Sequence, residues 1–274
     1  MHLGRKRIIQ ILIVVVVLCV FFSLLSILTH KYVYLNGKWY NTDITELELI
    51  NCSDKSINKL KYFTSLKKLT IDGEKTIDNI DFLLEMKDIE ELNLGDFNVN
   101  DWSGLLKCKK LKCFYGFNTN IEDLSVLSML PNLESLTLQY TNITNISGIE
   151  KLQKLNYLFL SCDISDLTGL ESCSELKNLY LFDKQVPNME VLRYLNKLES
   201  LYVGINSSQS VYMELNSISY LSNLTNLSLI NIDVSTCDAL LKCDNLQEIT
   251  LSQGVVSTNV VTELEKRGIS VNLY

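Results

Sequence analysis

Nucleophilic catalysis by serine or cysteine needs a base beside the nucleophile, and the usual base, histidine, is scarce in this chain. The two histidines are His2 and His30, and the stretch from Lys31 to Tyr274 has none. This excludes histidine-assisted nucleophiles and His-ligated zinc beyond residue 31. Paired carboxylates remain possible in principle, but most Asp and Glu side chains fall at exposed positions of a repeat. The sequence therefore predicts no enzymatic activity, no cofactor and no metal site.

Eight cysteines could crosslink an exported protein or bind a metal. Cys108, Cys173 and Cys243 each lie three residues before the start of a repeat, where other repeats hold leucine. Neither Cys108 with Cys113 nor Cys237 with Cys243 has the close spacing of structural zinc ligands. A thiol at a buried position behaves as a small apolar side chain. We therefore predict reduced, structural cysteines, of which Cys113 alone faces outward.

The charge balance gives a weaker indication of which class of partner the chain binds. The net charge is −7 over 274 residues, whereas phosphate binding needs clustered lysine and arginine. The sequence thus predicts no nucleic-acid partner. Ordinary solubilising surface charge accounts for the acidic residues.

The chain contains an internal repeat. The secondary-structure elements of this repeat must position the residues discussed above. Its clearest copy begins at Leu133, with apolar residues three and five places later at Leu136 and Leu138. The same pattern recurs at intervals near 22 residues, and Gly116 is the one departure from the apolar rule at the later place. We number the residues of each repeat by place, counting the start as place one. The ten repeats begin at Ile44, Leu66, Ile89, Leu111, Leu133, Leu155, Leu176, Leu198, Leu224 and Leu246.

The pattern resembles the leucine-rich repeat, L-x-x-L-x-L-x-x-N/C-x-L, over Ile44 to Tyr274. The 22-residue spacing resembles the internalin-type repeats of bacterial surface proteins. The resemblance implies an α/β solenoid with a parallel sheet on its concave face and short helical or 3-10 turns on its convex face. A single short strand cannot bury its apolar side alone, so stacked copies are needed.

One family feature is degraded in this chain. The family places asparagine at place nine, in the turn after the strand, where its side chain bonds neighbouring backbone groups. Several residues found there cannot do so, and we expect an irregular ladder of turns. The matching residues are Cys52, Glu74, Phe97, Thr119, Thr141, Asp163, Lys184, Asn206, Ile232 and Gly254.

An apolar segment precedes the repeats. Arg5-Lys6-Arg7 is followed by an uncharged run from Ile8 to Thr29, which as a helix would reach about 33 Å and cross a bilayer. The cations before it predict a cytoplasmic N-terminus and extracytoplasmic repeats. A cleaved signal peptide is the alternative, but the run is long for one and lacks a small-x-small cleavage site. We predict an uncleaved signal-anchor at a cell membrane.

These features divide the chain into five parts. Asn36-Gly37 predicts a hairpin turn, and a helix from Val260 to Arg267 should end at Gly268. The predicted parts are a cytoplasmic tail (1–7), a transmembrane signal-anchor helix (8–29), an N-terminal capping hairpin (30–43), a solenoid of about ten repeats (44–268) and a terminal capping strand (269–274).

Aromatic residues gather at the outward positions of five successive repeats. Places three, five and seven of each strand should face outward, because side chains alternate along a strand. Parallel strands lie about 4.8 Å apart, so these rings should form one patch. We call the following eight residues the aromatic surface: Tyr115, Phe117, Tyr140, Tyr157, Phe159, Tyr180, Phe182 and Tyr202.

The aromatic surface has several interpretations. Aromatic residues are good strand formers that can stack on each other without any ligand. Clustered rings facing solvent more often mark a binding site. We predict a membrane-anchored protein of a bacterial cell surface that binds a protein or peptide. Carbohydrate binding and a self-associating scaffold, a possible homo-oligomer, remain alternatives.

Overall fold

The computed structural model describes residues 12–22, 24–25, 30–206, 210–234 and 236–274. Residues 12–22 and 24–25 are helical and exposed to solvent. Within these ranges no helix is both long enough and apolar enough to cross a membrane. The predicted tail (1–7) lies outside the described residues, as do the two ends of the predicted span (8–29).

The repeats build one parallel sheet of eleven strands in the described residues, ordered β15-β14-β12-β10-β9-β8-β7-β6-β5-β4-β3. The predicted solenoid of parallel strands is confirmed. The strands are β1 (Tyr32–Leu35), β2 (Lys38–Asn41), β3 (Glu46–Ile50), β4 (Lys68–Asn79), β5 (Glu91–Asp101), β6 (Cys113–Phe117), β7 (Ser135–Gln139), β8 (Tyr157–Ser161), β9 (Asn178–Asp183), β10 (Ser200–Ile205), β11 (Val211–Tyr212), β12 (Asn226–Ile230), β13 (Ile232–Asp233), β14 (Glu248–Leu251) and β15 (Ser270–Leu273).

The register of the sheet aligns equivalent places of successive repeats. Leu136 pairs with Phe114 on one side and with Leu158 on the other, and all three side chains are buried. Each place therefore forms a row that runs across the strands. Inward rows build one continuous core, and outward rows build one continuous face.

The opposite side of the solenoid consists of short turns, as predicted. At six of them an Asp or Asn side-chain oxygen accepts a hydrogen bond from the backbone N–H two residues later, and these residues are Asn79, Asp101, Asp123, Asn145, Asp166 and Asn188. This pattern fixes the start of each turn. The 3-10 turns are Leu60–Tyr62, Asp81–Glu85, Ser103–Lys107, Leu127–Met129, Ile149–Lys151, Leu170–Ser172, Glu190–Tyr194, Asn216–Tyr220 and Leu240–Lys242.

Two α-helices occur among the described repeats, α1 (Asp54–Ile57) and α2 (Thr258–Lys266). Helix α2 begins two residues before the expected Val260, because the Ser257 hydroxyl accepts a hydrogen bond from the Val260 backbone N–H. It ends before Gly268, whose φ of 84° suits a helix stop.

The chain covers both ends of the solenoid. Strands β1 and β2 form an antiparallel hairpin that turns at Asn36 (φ 44°) and Gly37 (φ 83°). The Val33 and Leu35 side chains of β1 are buried against the core. At the other end, β15 pairs with β14 and follows directly on α2.

The turn after the strand departs from the sequence alignment in two repeats. The expected turn residues Asp163 and Lys184 are exposed, whereas Cys162 and Asp183 one place earlier are 8% and 9% exposed. The repeat that starts at Leu155 has 21 residues, one fewer than its neighbours. Because this repeat is one residue shorter, its turn position falls one residue earlier, at Cys162.

Other turn positions do without asparagine altogether. Phe97 and Ile232 are fully buried, so these turns are held by apolar packing. In another repeat the amide one place later substitutes: Asn120 Oδ1 accepts from the Val99 N–H at 2.9 Å, and its Nδ2 donates to the Val99 carbonyl at 3.1 Å. The ladder is irregular because its bonds come from different places in different repeats.

Candidate functional site

The eight residues of the aromatic surface lie on the outward face of the sheet or at its rim. Their strands supply alternate outward positions, as period-two alternation requires. Seven of the rings are half-buried, and Tyr140 is 60% exposed. Tyr115 and Phe117 lie on β6, Tyr157 and Phe159 on β8, Tyr180 and Phe182 on β9, Tyr202 on β10, and Tyr140 directly after β7.

Five of the rings form one contacting group centred on Tyr180. The Tyr180 ring centroid lies 5.3 Å from that of Tyr157, 6.0 Å from that of Phe159 and 6.2 Å from that of Tyr202. Phe182 joins the group through Tyr202, with centroids 6.4 Å apart. The contacts with Phe159 and Tyr202 are stacked. We call these five residues the ring cluster.

The other three rings have no ring contact with the ring cluster among the described residues: Tyr115 and Phe117 lie on β6, across strand β7 from it, and Tyr140 directly follows β7. Phe117 and Tyr140 meet edge to face at 5.3 Å. Tyr115 pairs with Thr137, which in turn pairs with Phe159. Thr137 is only 8% exposed although it occupies an outward position, so the larger side chains on either side cover it. The predicted single patch is therefore a ring cluster and a neighbouring group joined across a threonine.

Gly204 shapes the ring cluster, and the sequence reasoning missed it. A Cβ atom at Gly204 would lie 2.7 Å from Tyr202 Cε1 and 2.8 Å from Phe182 Cδ2. Both rings therefore fold over the glycine backbone. The available signal was a glycine at place seven, two residues after a tyrosine in the same strand.

The hydroxyl groups of Tyr115, Tyr157 and Tyr202 stay protonated at physiological pH. Burial raises the pKa of Tyr115, Tyr157 and Tyr202. The pKa of Tyr157 is raised further by the neighbouring Tyr180 and Tyr115. The surface therefore offers ring faces and neutral hydroxyl groups.

Polar groups on either side of the surface are paired with each other. Lys68 Nζ lies 2.6 Å from a Glu91 carboxylate oxygen. On the other side, Glu248 accepts hydrogen bonds from the Asn226 and Asn272 amides at 3.1 and 2.6 Å. These pairs leave the aromatic part as the least polar region of the outward face.

A shallow cleft of about 170 Å³ opens at the rim of the aromatic surface. Tyr140 and Phe182 line it together with Asp163, Asp183 and Lys184. It lies where the strands turn into the loops. The cleft combines ring faces with charged side chains.

The two aspartates of this cleft differ in their electrostatics. Asp183 accepts hydrogen bonds from the Ile164 N–H at 2.7 Å and from the Lys184 N–H. Burial, and to a smaller extent the hydrogen-bonded carboxyl group of Asp163, raise the pKa of Asp183 to about 6, although the hydrogen bonds from the backbone lower it. The Lys184 ammonium, 3.0 Å from Asp163, lowers the pKa of Asp163. Asp183 thus holds backbone groups in place and does not project into solvent.

The cysteines occupy packing positions. Burial raises the pKa of Cys108 and Cys173 to about 12 and that of Cys243 to about 11, so the reactive thiolate form is negligible at neutral pH. Cys113 and Cys237 are half-exposed, and the inward prediction for Cys237 holds only in part. Among the described residues, no cluster of His, Cys, Asp and Glu side chains could hold a metal ion. The free thiols of the described residues include Cys19, Cys108, Cys113, Cys162, Cys173, Cys237 and Cys243.

Comparison with known proteins agrees with this architecture. The family model described as leucine rich repeats (2 copies) matches residues 131–172. Internalin C2 of Listeria monocytogenes is 20% identical and has a TM-score of 0.56, over 73% of this chain and 84% of that chain. A leucine-rich repeat protein of Leptospira interrogans is 15% identical with a TM-score of 0.53, over 83% and 70% of the two chains. No curated protein matches the chain in sequence.

The repeat register, the parallel sheet and the matched family model together define the class. The chain has the fold of leucine-rich repeat proteins, with residues 131–172 matching the family model, and the predicted resemblance to internalins is confirmed at the level of the fold. At these identities the solved structures say nothing about a ligand.

Proposed function

We propose that the chain binds a protein or peptide partner through the aromatic surface. The observation that carries this proposal is the ring cluster, five contacting rings that remain half-exposed on the outward face of β8 to β10. Clustered aromatic side chains at the centre of a polar face are typical of the energetically dominant part of a protein interface.

Contacts among the rings do not weaken the proposal. Stacking is what self-packing alone would also produce, but each of the five rings stays only partly buried. Tyr180 is held between Phe159 and Tyr202, so binding would cost little further side-chain freedom. A prearranged set of tyrosines is also how many paratopes reach affinity.

The surroundings of the rings favour a peptide over a sugar. Glycan sites usually add free charged or amide side chains among the rings. Asp183 is buried and bonded to the backbone, and Gln139 and Asn178, which lie in register beside Phe117 and Tyr157, are half-buried. Carbohydrate binding is therefore the alternative, and the test below can select it.

We further propose that the N-terminal segment anchors the chain in a membrane, with the N-terminus cytoplasmic and the repeats extracytoplasmic. Two observations support this. Arg5-Lys6-Arg7 precedes the uncharged run from Ile8 to Thr29, and the large apolar side chains from Leu12 to Phe22 are 48–63% exposed. Apolar side chains in such numbers need a nonaqueous environment.

The binding proposal can be tested with a displayed random peptide library selected on the immobilised protein, alongside a glycan array. The test variant carries Tyr115→Ala, Phe159→Ala, Tyr180→Ala and Phe182→Ala. We expect selected peptides to bind it at least about tenfold more weakly, because truncating central aromatic anchors removes most interface energy.

A matched control removes exposed rings elsewhere. Tyr194, Tyr212 and Tyr220 are 56%, 71% and 58% exposed and lie off the outward face of the sheet, so their alanine variants should bind normally. Circular dichroism and thermal unfolding must show that every variant is folded. Peptide binding that survives the four substitutions would refute the proposal, and binding to glycans alone would favour the alternative.

Light scattering distinguishes the alternative of a self-associating scaffold from the binding of another partner. A partner-binding surface leaves the purified chain monomeric within its detergent or vesicle, whatever the state of the rings. A concentration-dependent dimer that dissociates in the four-alanine variant would assign the aromatic surface to a second copy of the chain.

A further inference from the structure

The hairpin that covers the first repeat has one buried side and one aromatic side. Val33 and Leu35 are buried against the core. The alternate residues Tyr32 and Tyr34 are 48% and 45% exposed, and Trp39 is 63% exposed. Trp39 pairs with Tyr34 across the hairpin, with ring centroids 5.4 Å apart. We call Tyr32, Tyr34 and Trp39 the hairpin aromatic face, which points away from the repeats.

The cap is fixed firmly to the first repeat, so this face has a defined direction. Asn36 Nδ2 donates to the Ile50 carbonyl at 3.2 Å, and Asn36 Oδ1 accepts from the Ser56 hydroxyl at 3.1 Å. His30 stacks on Tyr62 with centroids 3.9 Å apart. The hairpin is thus held both at its turn and at its start.

Lysines outnumber aspartates in the segment that contains the hairpin aromatic face. Lys59 Nζ donates to the Tyr34 carbonyl at 3.1 Å. The glutamates of β3 alternate with its buried leucines and so lie on the outward face of the sheet. Away from that face, residues 30–62 contain two aspartates, Asp43 and Asp54, and five lysines, namely Lys31, Lys38, Lys55, Lys59 and Lys61.

The apolar helix and the hairpin are close in the chain. The uncharged run ends at Thr29 and β1 begins at Tyr32. Two intervening residues span at most about 10 Å. If the run crosses a bilayer, the hairpin lies at the level of the lipid headgroups.

We propose that the hairpin aromatic face docks on the lipid surface, with its three rings among the headgroups and the flanking lysines toward anionic lipids. This inference rests on the proposed membrane anchoring. Tryptophan and tyrosine favour the membrane–water interface because they are apolar with a polar end. Lysines near a surface are attracted by anionic headgroups.

Docking of the cap sets the position of the aromatic surface. Successive strands stack away from the hairpin, about 4.8 Å apart. Strand β8 is five strands beyond β3, so the ring cluster begins about 24 Å further from the membrane than the first repeat. The strands of the solenoid therefore stack away from the membrane. The outward face of the sheet is then parallel to the membrane normal and open to a partner.

The test uses tryptophan fluorescence, because Trp39 and Trp102 are the only two tryptophans of the chain. The full-length Trp102→Phe variant, which retains Trp39, is incorporated into phosphatidylcholine–phosphatidylglycerol vesicles. We expect lipids brominated near the headgroup to reduce its emission by about twofold, with a blue-shifted maximum, because an interfacial indole contacts them.

Two controls define the background. The Trp39→Phe variant reports Trp102, which packs on Phe114 with centroids 6.4 Å apart in the third repeat. A variant with Trp39→Phe, Trp102→Phe and Tyr212→Trp places an indole at a site that is 71% exposed in the wild type, far from the cap. Neither control should be quenched.

The outcomes separate this inference from the anchoring itself. Flotation of the same vesicles measures anchoring. If the protein floats and Trp39 is quenched no more than the controls, the docking inference is overturned while anchoring stands. If the protein does not float, both are overturned.

Discussion

Asp163 and Asp183 share the cleft at the rim of the aromatic surface, yet their acidities shift in opposite directions. Lys184 lowers the pKa of Asp163, whereas burial and the adjacent Asp163 raise the pKa of Asp183 to about 6. The difference comes from position, since one carboxyl group is exposed and the other is covered. Burial also suppresses the reactivity of the cysteine thiols, since it raises the pKa of Cys173 to about 12.

The Asp183 shift predicts a pH dependence with a definite sign. The folded state binds the Asp183 proton more tightly than the unfolded chain does, so this contribution to stability is present below about pH 4 and is lost as pH rises through about 6. The substitution Asp163→Asn removes the neighbouring carboxyl group, which is the smaller cause of the raised pKa, and leaves Asp183 buried. We expect NMR titration to show the pKa of Asp183 lower in this variant than in the wild type but still above the ordinary value.

A matched control is Asp166→Asn in the neighbouring turn. The hydrogen bonds from Thr168 lower the pKa of Asp166, so its linkage has the opposite sign, and its removal should leave the Asp183 titration unchanged. An Asp183 carboxyl that titrates at its ordinary value in the wild type would contradict the assignment.

At the scale of elements, one strand replaces the usual pair of leucines by Phe114 and Gly116. Phe114 is buried, and its ring takes up part of the space that a side chain at Gly116 would need, since a Cβ there would lie 3.2 Å both from the ring edge and from Leu138 Cδ2. The large and small residues compensate within one strand. The sequence marked Gly116 as a departure, and only the packing explains it.

This compensation predicts strong coupling between the two positions. Gly116→Leu alone should destabilise the protein by about 1–3 kcal/mol, because the added side chain collides with Phe114. Adding Phe114→Leu restores the pattern of the other repeats and should recover part of that loss, because Leu138 still lies beside position 116. Urea denaturation of the two single variants and the double variant measures the coupling, and additive effects would show that the two side chains do not share space.

At the scale of the whole molecule, each repeat contacts its neighbours and the ends are covered by elements of a different kind. The hairpin of β1 and β2 covers the first repeat, and α2 with β15 follows the last. In such an array, stability is nearly a sum of nearest-neighbour terms. Damage at one end should therefore open the nearest repeats first.

Leu35→Ala tests this arrangement, because Leu35 of the cap is fully buried. Its loss should cost about 2–5 kcal/mol locally, and hydrogen exchange should accelerate in β3 and β4 well before β8 and β9. Leu158→Ala, equally buried in a central strand, is the control and should accelerate exchange around β8. Equal acceleration along the whole sheet after Leu35→Ala would contradict a nearest-neighbour array.

Sequence periodicity determined the repeats and the side to which the strand residues point, and the resemblance to the leucine-rich repeat implied the solenoid of parallel strands. Period-two alternation and the 22-residue spacing are local properties, so they could be read without coordinates. They also placed Tyr180 and Phe159 on one face, and Cys108 and Cys173 in the core.

Tertiary structure decided what depends on contacts between repeats. It divided the aromatic surface at Thr137, folded Tyr202 over Gly204, and moved two turn positions to Cys162 and Asp183. None of these could be predicted from spacing, because ring orientation, coverage and proton affinity depend on which atoms of neighbouring strands fill the remaining space.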